Sequence, residues 1–256
     1  EGVSQQGFNR REDIMSKKIL VVGDSLCKGV VLDEEKKKYT LLKDSFINLL
    51  STQLDAQLIN ASHFGATVEQ GQKLLESKLE KVDPDIVVIE FGGNDCDFAW
   101  DEIARDPSLD HIPKTPLDEF ERRITAMVDL VQQHDKKAVL TTLPQLYADN
   151  YFKWFTNCDQ EKGFRILKWL KDVWHIYWWQ ERYSNCLQYL SRLKGVGCID
   201  VRREFLKQKD FERFVCSDGI HPNSDGHRLI FEAVLAFIRE QAAYLLPPPE
   251  AVPSFA

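Results

Sequence analysis

Hydrophobic residues along the chain follow two alternating patterns. Short apolar runs, mostly rich in β-branched residues, occupy positions 19–22, 57–59, 86–91, 138–142 and 196–201, and each predicts a buried strand. Segments 41–54, 68–79, 120–131 and 225–244 instead repeat apolar residues every three or four positions, which is typical of amphipathic helices. Strands that alternate with helices predict an α/β fold, a three-layer α/β/α sandwich around a central parallel sheet.

The length of 256 residues fits a single α/β domain, and neither an internal repeat nor a low-complexity linker divides the chain. We expect this domain at 15–246, with an aromatic-rich helical segment at about 150–190. Met15 and the polar residues after it resemble a natural start, so 1–14 are expected to be an added extension without a function. The prolines at 247–249 cannot continue a helix, and 247–256 are expected to form a tail.

Composition and charge narrow the range of partners. The net charge is −7 and no long basic stripe is present, which argues against nucleic acid. No stretch reaches the roughly 18 apolar residues that cross a bilayer, so we expect no stable membrane association. The six cysteines form no CxxC pair or zinc spacing, which predicts reduced thiols, no metal and no cofactor. A cytoplasmic location fits best, with export by a signal peptide cleaved before Glu1 as the alternative.

Candidate chemistry follows the predicted strands. Open parallel sheets bind ligands at the carboxyl ends of their strands. Four polar or glycine-containing groups fall at such positions: Gly-Asp-Ser-Leu at 23–26 after the first run, Gly65 after the second, Gly-Gly-Asn-Asp at 92–95 after the third, and Asp-Gly-Ile-His-Pro at 218–222 before the last helix.

These groups contain the parts of a nucleophilic hydrolase. A serine hydroxyl attacks only when a base takes its proton and a third group orients that base. Ser25 is the candidate nucleophile, His221 the base and Asp218 the orienting carboxylate. The backbone amides of Ser25 and Gly65 and the side-chain amide of Asn94 are candidate donors to an oxyanion.

The ordered groups resemble the blocks of the SGNH hydrolase superfamily, the GDSL-type esterases and lipases: a GDSL block, a glycine block, a GxND block and a DxxH block. All four are intact and span positions 23–221. The resemblance implies the three-layer fold, a Ser25–His221–Asp218 triad and an oxyanion hole formed by Ser25, Gly65 and Asn94. It implies a reaction class and leaves the substrate open.

Several residues have competing interpretations. His227 is an alternative base inside the first turns of the last helix, and Asp24 is interpreted as a structural carboxylate that bonds local backbone. His63 is a candidate substrate contact, with an exposed loop histidine as the plainer interpretation.

The aromatic stretch 151–189 contains five of the six tryptophans. The helical spacing of Trp174, Tyr177 and Trp178 favours core packing, whereas a cap over the site would make Trp178 a substrate contact. A homo-oligomer contact is the third interpretation, because exposed aromatic patches mark interfaces.

The leading functional hypothesis is hydrolysis of a small-molecule carboxylic ester through an acyl-enzyme, on short-chain or acetyl esters, including those of carbohydrates. The alternatives are a non-catalytic acyl- or sugar-binding protein on this fold, or a lysophospholipase or thioesterase. A flavodoxin-like nucleotide or flavin binder shares the architecture, but the sequence lacks a glycine-rich phosphate loop such as GxGxxG.

Overall fold

The computed structural model describes residues 17–247, and its centre is a parallel sheet of five strands. Seven strands are present in this range: β1 Lys17–Gly23, β2 Val30–Asp33, β3 Lys38–Leu41, β4 Ala56–Asn60, β5 Ile86–Glu90, β6 Lys137–Thr141 and β7 Gly197–Ile199. The sheet order is β4-β1-β5-β6-β7, and β2 pairs with β3 as a separate antiparallel hairpin. All five predicted strands are therefore confirmed, within a few residues at their ends.

Helices cover both faces of the sheet, which confirms the predicted α/β/α sandwich. Their bounds are α1 Ser25–Lys28, α2 Phe46–Gln53, α3 Val68–Val82, α4 Trp100–Arg105, α5 Leu117–Gln133, α6 Ala148–Thr156, α7 Gln160–Leu170, α8 His175–Lys194, α9 Val201–Leu206 and α10 Ser224–Gln241. Short 3₁₀ turns occupy Phe211–Phe214 and Ala243–Leu245. In the described part of the chain, no helix is long and apolar enough to cross a membrane.

Alternation along the strands divides the core into two layers. Successive strand side chains point to opposite faces of a sheet. Leu20, Val87 and Leu140 pack against α3, α5 and α8 on one face. Ile19, Val21 and Ile86 pack against α2, α9 and α10 on the other. The helices thus hold the sheet between them, and its carboxyl edge carries the loops of interest.

The structure corrects one predicted helix. The segment 41–54 was expected to be helical throughout, but Leu41 ends strand β3 and α2 begins at Phe46, after Ser45 in an extended conformation. The exposed residues of β3 bury no apolar stripe, so pairing with β2 decides their conformation. The final helix is confirmed, although it ends at Gln241 rather than at residue 244. The expected extension 1–14 and the tail beyond 247 lie outside the described residues.

The aromatic-rich segment is helical, as expected, and consists of α6, α7 and α8. Its inward side chains pack with Phe98, Trp100 and Ile103 into a third hydrophobic cluster, apart from the two layers that flank the sheet. Leu146 and Ile176 are almost fully buried in this cluster. The segment therefore has a core of its own beside the carboxyl edge of the sheet.

A cavity of about 390 Å³ lies beneath the sheet on the α2 and α10 face. Its lining is mostly apolar and includes Ile86, Val88, Ile230 and Val234. Val88 belongs to β5, the middle strand of the sheet, yet it is only partly buried because the cavity leaves space in front of it.

Candidate active site

Ser25 lies at the carboxyl end of β1, at the first position of α1. Asp24 caps this short helix, since its Oδ1 accepts a hydrogen bond from the Leu26 amide at 2.9 Å. The structure thus places the Ser25 hydroxyl at the rim of the sheet, where it lines a cavity of about 180 Å³.

Two hydrogen bonds connect the three candidate triad residues. Nδ1 of His221 lies 2.7 Å from Oδ2 of Asp218, and Nε2 of His221 lies 3.0 Å from Oγ of Ser25. Asp218 is fully buried and His221 is 6% exposed. Oδ1 of Asp218 also accepts the backbone amides of Ile220 and His221, at 3.0 and 3.1 Å. These bonds fix the carboxylate and leave its second oxygen to the imidazole.

The loop that carries Asp218 and His221 is tied to helix α6. The carbonyl of Gly219 accepts a hydrogen bond from the amide of Tyr147, at 2.7 Å. Gly219 has a φ of +78°, and a Cβ at this position would lie 2.3 Å from the backbone nitrogen of Tyr151. Both features require glycine. The aromatic segment and the candidate catalytic loop are therefore one packed unit.

The three residues that carry the candidate oxyanion donors, Ser25, Gly65 and Asn94, line the same cavity. Gly65 adopts a φ of +71° in the loop after β4 and lines the cavity. Within residues 17–247, no acceptor pairs with the amides of Ser25 and Gly65. Asn94 also lines the cavity, but its Nδ2 donates to Oδ2 of Asp24 at 2.9 Å and to the carbonyl of Ala66 at 3.1 Å. Both amide hydrogens of Asn94 thus have partners in this structure.

Two buried carboxyl groups lie behind the serine. Oε2 of Glu90 accepts the backbone amide of Asp24 at 3.2 Å, and both side chains are almost completely buried. Burial raises the pKa of Asp24 well above its usual range, and the nearby Glu90 carboxylate raises it further. Burial also raises the pKa of Glu90. Because Asp24 bonds Leu26 and Asn94 rather than the imidazole, its position matches the structural interpretation.

Aromatic rings flank His221 on its exposed side. Tyr39 comes from the β2–β3 hairpin, and its ring centroid lies 4.9 Å from that of His221. Phe64 stacks nearly parallel to the imidazole at 6.2 Å and touches Tyr39 at 5.3 Å. Burial and the nearby Asp218 carboxylate raise the pKa of the Tyr39 hydroxyl. Sequence reasoning missed both residues, because no motif or periodicity ties either one to the histidine.

Trp178 and His63, the two predicted substrate contacts, do not line the cavity. Trp179 lines it instead, whereas Trp178 is 45% exposed and packs on Trp179 and Arg182 from the solvent side. This exposure also rules out the core interpretation for Trp178, and Trp174 is 53% exposed as well. The ring of His63 is exposed, and its backbone amide donates to the carbonyl of Gly23.

His227, the alternative base, is fully buried against Phe46 and does not reach the cavity that Ser25 lines. The structure therefore brings only one of the two histidines to the serine.

A serine, a histidine and an aspartate joined in this way at the carboxyl edge of an α/β/α sandwich define a class, the serine ester hydrolases of SGNH type. The model of the GDSL-like lipase/acylhydrolase family matches residues 21–229, which is most of the chain. The chain belongs to this family.

Individual relatives agree with the family. An arylesterase of Vibrio mimicus is 41% identical over 80 residues, a match that spans 31% of this chain and 38% of that protein's length. A lipase/acylhydrolase from Enterococcus faecalis superposes with a TM-score of 0.61 at 20% identity, over 92% of this chain and all of the other. Esterase EstA from Pseudoalteromonas superposes with a TM-score of 0.56 at 19% identity, over 88% and 98%. At these identities, the similarity to the two solved structures supports a shared fold.

Proposed function

We propose that the protein hydrolyses carboxylic esters through an acyl-enzyme on Ser25, with His221 as the base and Asp218 as the residue that orients it. The observation that carries the proposal is the pair of hydrogen bonds from Asp218 to His221 and from His221 to Ser25. Ser25 has a base within reach, and that base has an orienting carboxylate, which are the requirements for an activated serine.

In the proposed reaction, Ser25, His221 and Asp218 act together. Oγ of Ser25 attacks the ester carbonyl carbon while Nε2 of His221 takes the hydroxyl proton. Asp218 holds the imidazole through Nδ1 and stabilises the imidazolium. Collapse of the tetrahedral intermediate breaks the bond to the alkoxy oxygen, which leaves as the alcohol with the proton from Nε2. Water then attacks the acyl-enzyme by the same route and releases the acid.

The negative charge on the carbonyl oxygen needs fixed donors. The amides of Ser25 and Gly65 are free of acceptors within the described chain and supply two of them. We assign the third to Asn94, whose amide exchanges its bond to the Ala66 carbonyl for one to the oxyanion. The bond to Asp24 keeps the amide oriented during this exchange. Catalytic hydrogen bonds often form fully only once the substrate is bound.

The cavity size supports small ester substrates. A volume of about 180 Å³ is below the range of about 300–1000 Å³ that is usual for drug-sized ligands. We therefore propose short-chain or acetyl esters, including acetylated carbohydrates whose sugar remains outside the cavity. The arylesterase name of the Vibrio mimicus relative supports activity on aryl acetates as well.

Replacement of Ser25 tests the proposal directly. The Ser25→Ala variant is expected to lower kcat for p-nitrophenyl acetate by about 10⁴-fold or more, with little change in melting temperature, because only the attacking atom is lost. The wild type is expected to gain the mass of one organophosphonate label on Ser25. Ser51→Ala, on the exposed surface of α2, serves as the matched control and should retain both activity and labelling. A Ser25→Ala protein with wild-type turnover would refute the triad.

A further inference from the structure

The part of the active-site cavity beyond Ser25 is a chamber with aromatic walls. It extends from the serine toward the loop after β6, and four rings and two aliphatic side chains form its walls: Phe98, Trp100, Tyr151, Trp179, Leu146 and Ile176. We call this part the aromatic chamber. Any role of this chamber in the choice of substrate depends on the proposed hydrolysis of esters at Ser25.

The rings of the aromatic chamber hold one another in place. Phe98 packs edge-to-face on Trp179, with ring centroids 4.9 Å apart, and lies 5.5 Å from Trp100. Phe155 stacks on the outer face of this group, parallel to Trp100 at 4.2 Å. Aromatic pairs at such separations attract in offset or edge-to-face geometry. Because each ring is braced by another, the chamber keeps its shape when it is empty.

Two polar atoms of the aromatic chamber, on Trp100 and Tyr151, are already paired. Nε1 of Trp100 and the hydroxyl of Tyr151 both donate to Oδ1 of Asp97, at 2.8 and 2.6 Å. Lys114 pairs with the other oxygen of Asp97 at 2.8 Å. Among the described residues that line the active-site cavity, none is Lys or Arg. The chamber therefore suits an uncharged apolar group and disfavours a carboxylate.

The two sides of Ser25 differ in their access to solvent. On the side of Tyr39 and Phe64 the rings are 39% and 55% exposed, so a leaving alcohol that takes its proton from His221 has a route to water there. In the aromatic chamber Phe98 is 3% and Trp100 is 8% exposed. The group that stays bonded to Oγ after the alcohol departs is the acyl group. The less exposed side, where Phe98 and Trp100 are buried, is thus the better place for the acyl group.

The volume limits what the acyl group can be. A cavity of about 150 Å³ with apolar walls is large enough to bind benzene, and the whole active-site cavity here measures about 180 Å³. A volume of this size admits at most one flat ring, and a long alkyl chain exceeds it. We propose that the aromatic chamber is an acyl subsite that selects compact aromatic acyl groups, of the benzoyl class, over long unbranched ones.

Adjacent tryptophans on α8 provide a matched test. We would measure kcat/KM for p-nitrophenyl acetate, benzoate and decanoate, so that only the acyl group changes. The wild type is expected to prefer benzoate over decanoate by at least about tenfold. Trp179→Ala is expected to lower the benzoate-to-acetate ratio by at least about tenfold, because one chamber wall is lost. Trp178→Ala, which removes the same side chain from the solvent side, should leave that ratio unchanged.

The outcomes separate this inference from the proposed function. If acetate is hydrolysed and Ser25 is labelled, but Trp179→Ala leaves the ratio unchanged or Trp178→Ala lowers it equally, the acyl subsite is wrong and the triad stands. If the wild type neither hydrolyses acetate nor takes the label, both are wrong. Trp179→Phe keeps a smaller ring and covers the case in which the alanine variant does not fold. Its ratio should fall between those of wild type and Trp179→Ala, and a wild-type ratio in Trp179→Phe would also overturn the subsite.

Discussion

His227 lies only six positions after His221, yet its surroundings are apolar. The ring is fully buried, stacks on Phe46 at 5.8 Å, and accepts a long hydrogen bond, 3.4 Å, from the Phe46 amide. Burial lowers the pKa of His227 to about 4, whereas an unfolded histidine titrates near 6.5. At a pH between these two values, His227 binds a proton in the unfolded chain and stays neutral in the folded chain. The stability of the folded protein therefore falls as the pH drops from about 6.5 to about 4.

Replacing His227 with phenylalanine should reduce this acid sensitivity. Between pH 7.5 and pH 5, we expect the wild type to lose roughly 2 kcal/mol more unfolding free energy than His227→Phe, because phenylalanine cannot take up a proton. Urea unfolding at the two pH values measures the difference. Equal losses in wild type and variant would show that His227 does not remain neutral in the folded protein.

The β2–β3 hairpin is the element that places Tyr39 against His221, the candidate catalytic base. Removing this ring in Tyr39→Ala opens the Asp218–His221 pair to water and frees the imidazole to turn. We expect kcat to fall by about tenfold to a hundredfold, since small misplacements of a catalytic group are costly. The fall should exceed any change in KM, because Tyr39 acts by positioning His221.

Tyr39→Phe is the control for this experiment, since it keeps the ring and removes the hydroxyl. It should retain most of the wild-type kcat if packing against His221 is what matters. Wild-type turnover in Tyr39→Ala would mean that the hairpin does not support the base. An equal loss in both variants would instead assign the effect to the hydroxyl near Asp218.

Elements that bury an apolar face could be predicted from the sequence, and elements that lack one could not. The five sheet strands have their apolar residues in the core, so their runs are visible along the chain. Strand β3 is exposed along its length, and its Leu41 continues the apolar spacing of the following helix. The hairpin therefore resembled the start of a helix, and Tyr39 was missed with it.

The aromatic helix α8 shows a second limit of sequence reasoning. Spacing correctly put Trp174 and Trp178 on one face, but with aromatic residues on several sides the pattern could not indicate which face turns inward. Packing against the rest of the protein determines which face turns inward. Ile176, Gln180 and Tyr183 are buried, and Trp179 therefore lies at the cavity. The triad candidates were easier to predict from the sequence, since the carboxyl ends of parallel strands must lie at one edge of the sheet.

At the scale of the whole molecule, the cavity beneath the sheet can be tested with two neighbouring valines. Val88 faces the cavity, whereas Val87 is fully buried on the opposite, well-packed face. Val88→Leu is expected to be tolerated or mildly stabilising, because the added methylene enters free space. Val87→Leu should cost about 1–3 kcal/mol through overpacking. Chemical denaturation measures both, and equal costs would mean that the cavity is filled.

Empty space inside a folded protein also contributes to its volume. Unfolding removes internal voids, so hydrostatic pressure favours the unfolded chain, with volume changes of about −20 to −100 mL/mol that scale with the void. The cavity beneath the sheet is therefore expected to contribute to the unfolding volume change of this protein. In tryptophan fluorescence recorded under pressure, Val88→Leu should unfold with a smaller volume change than the wild type. The sheet therefore has a candidate active site at its carboxyl edge and a cavity that responds to pressure on one face.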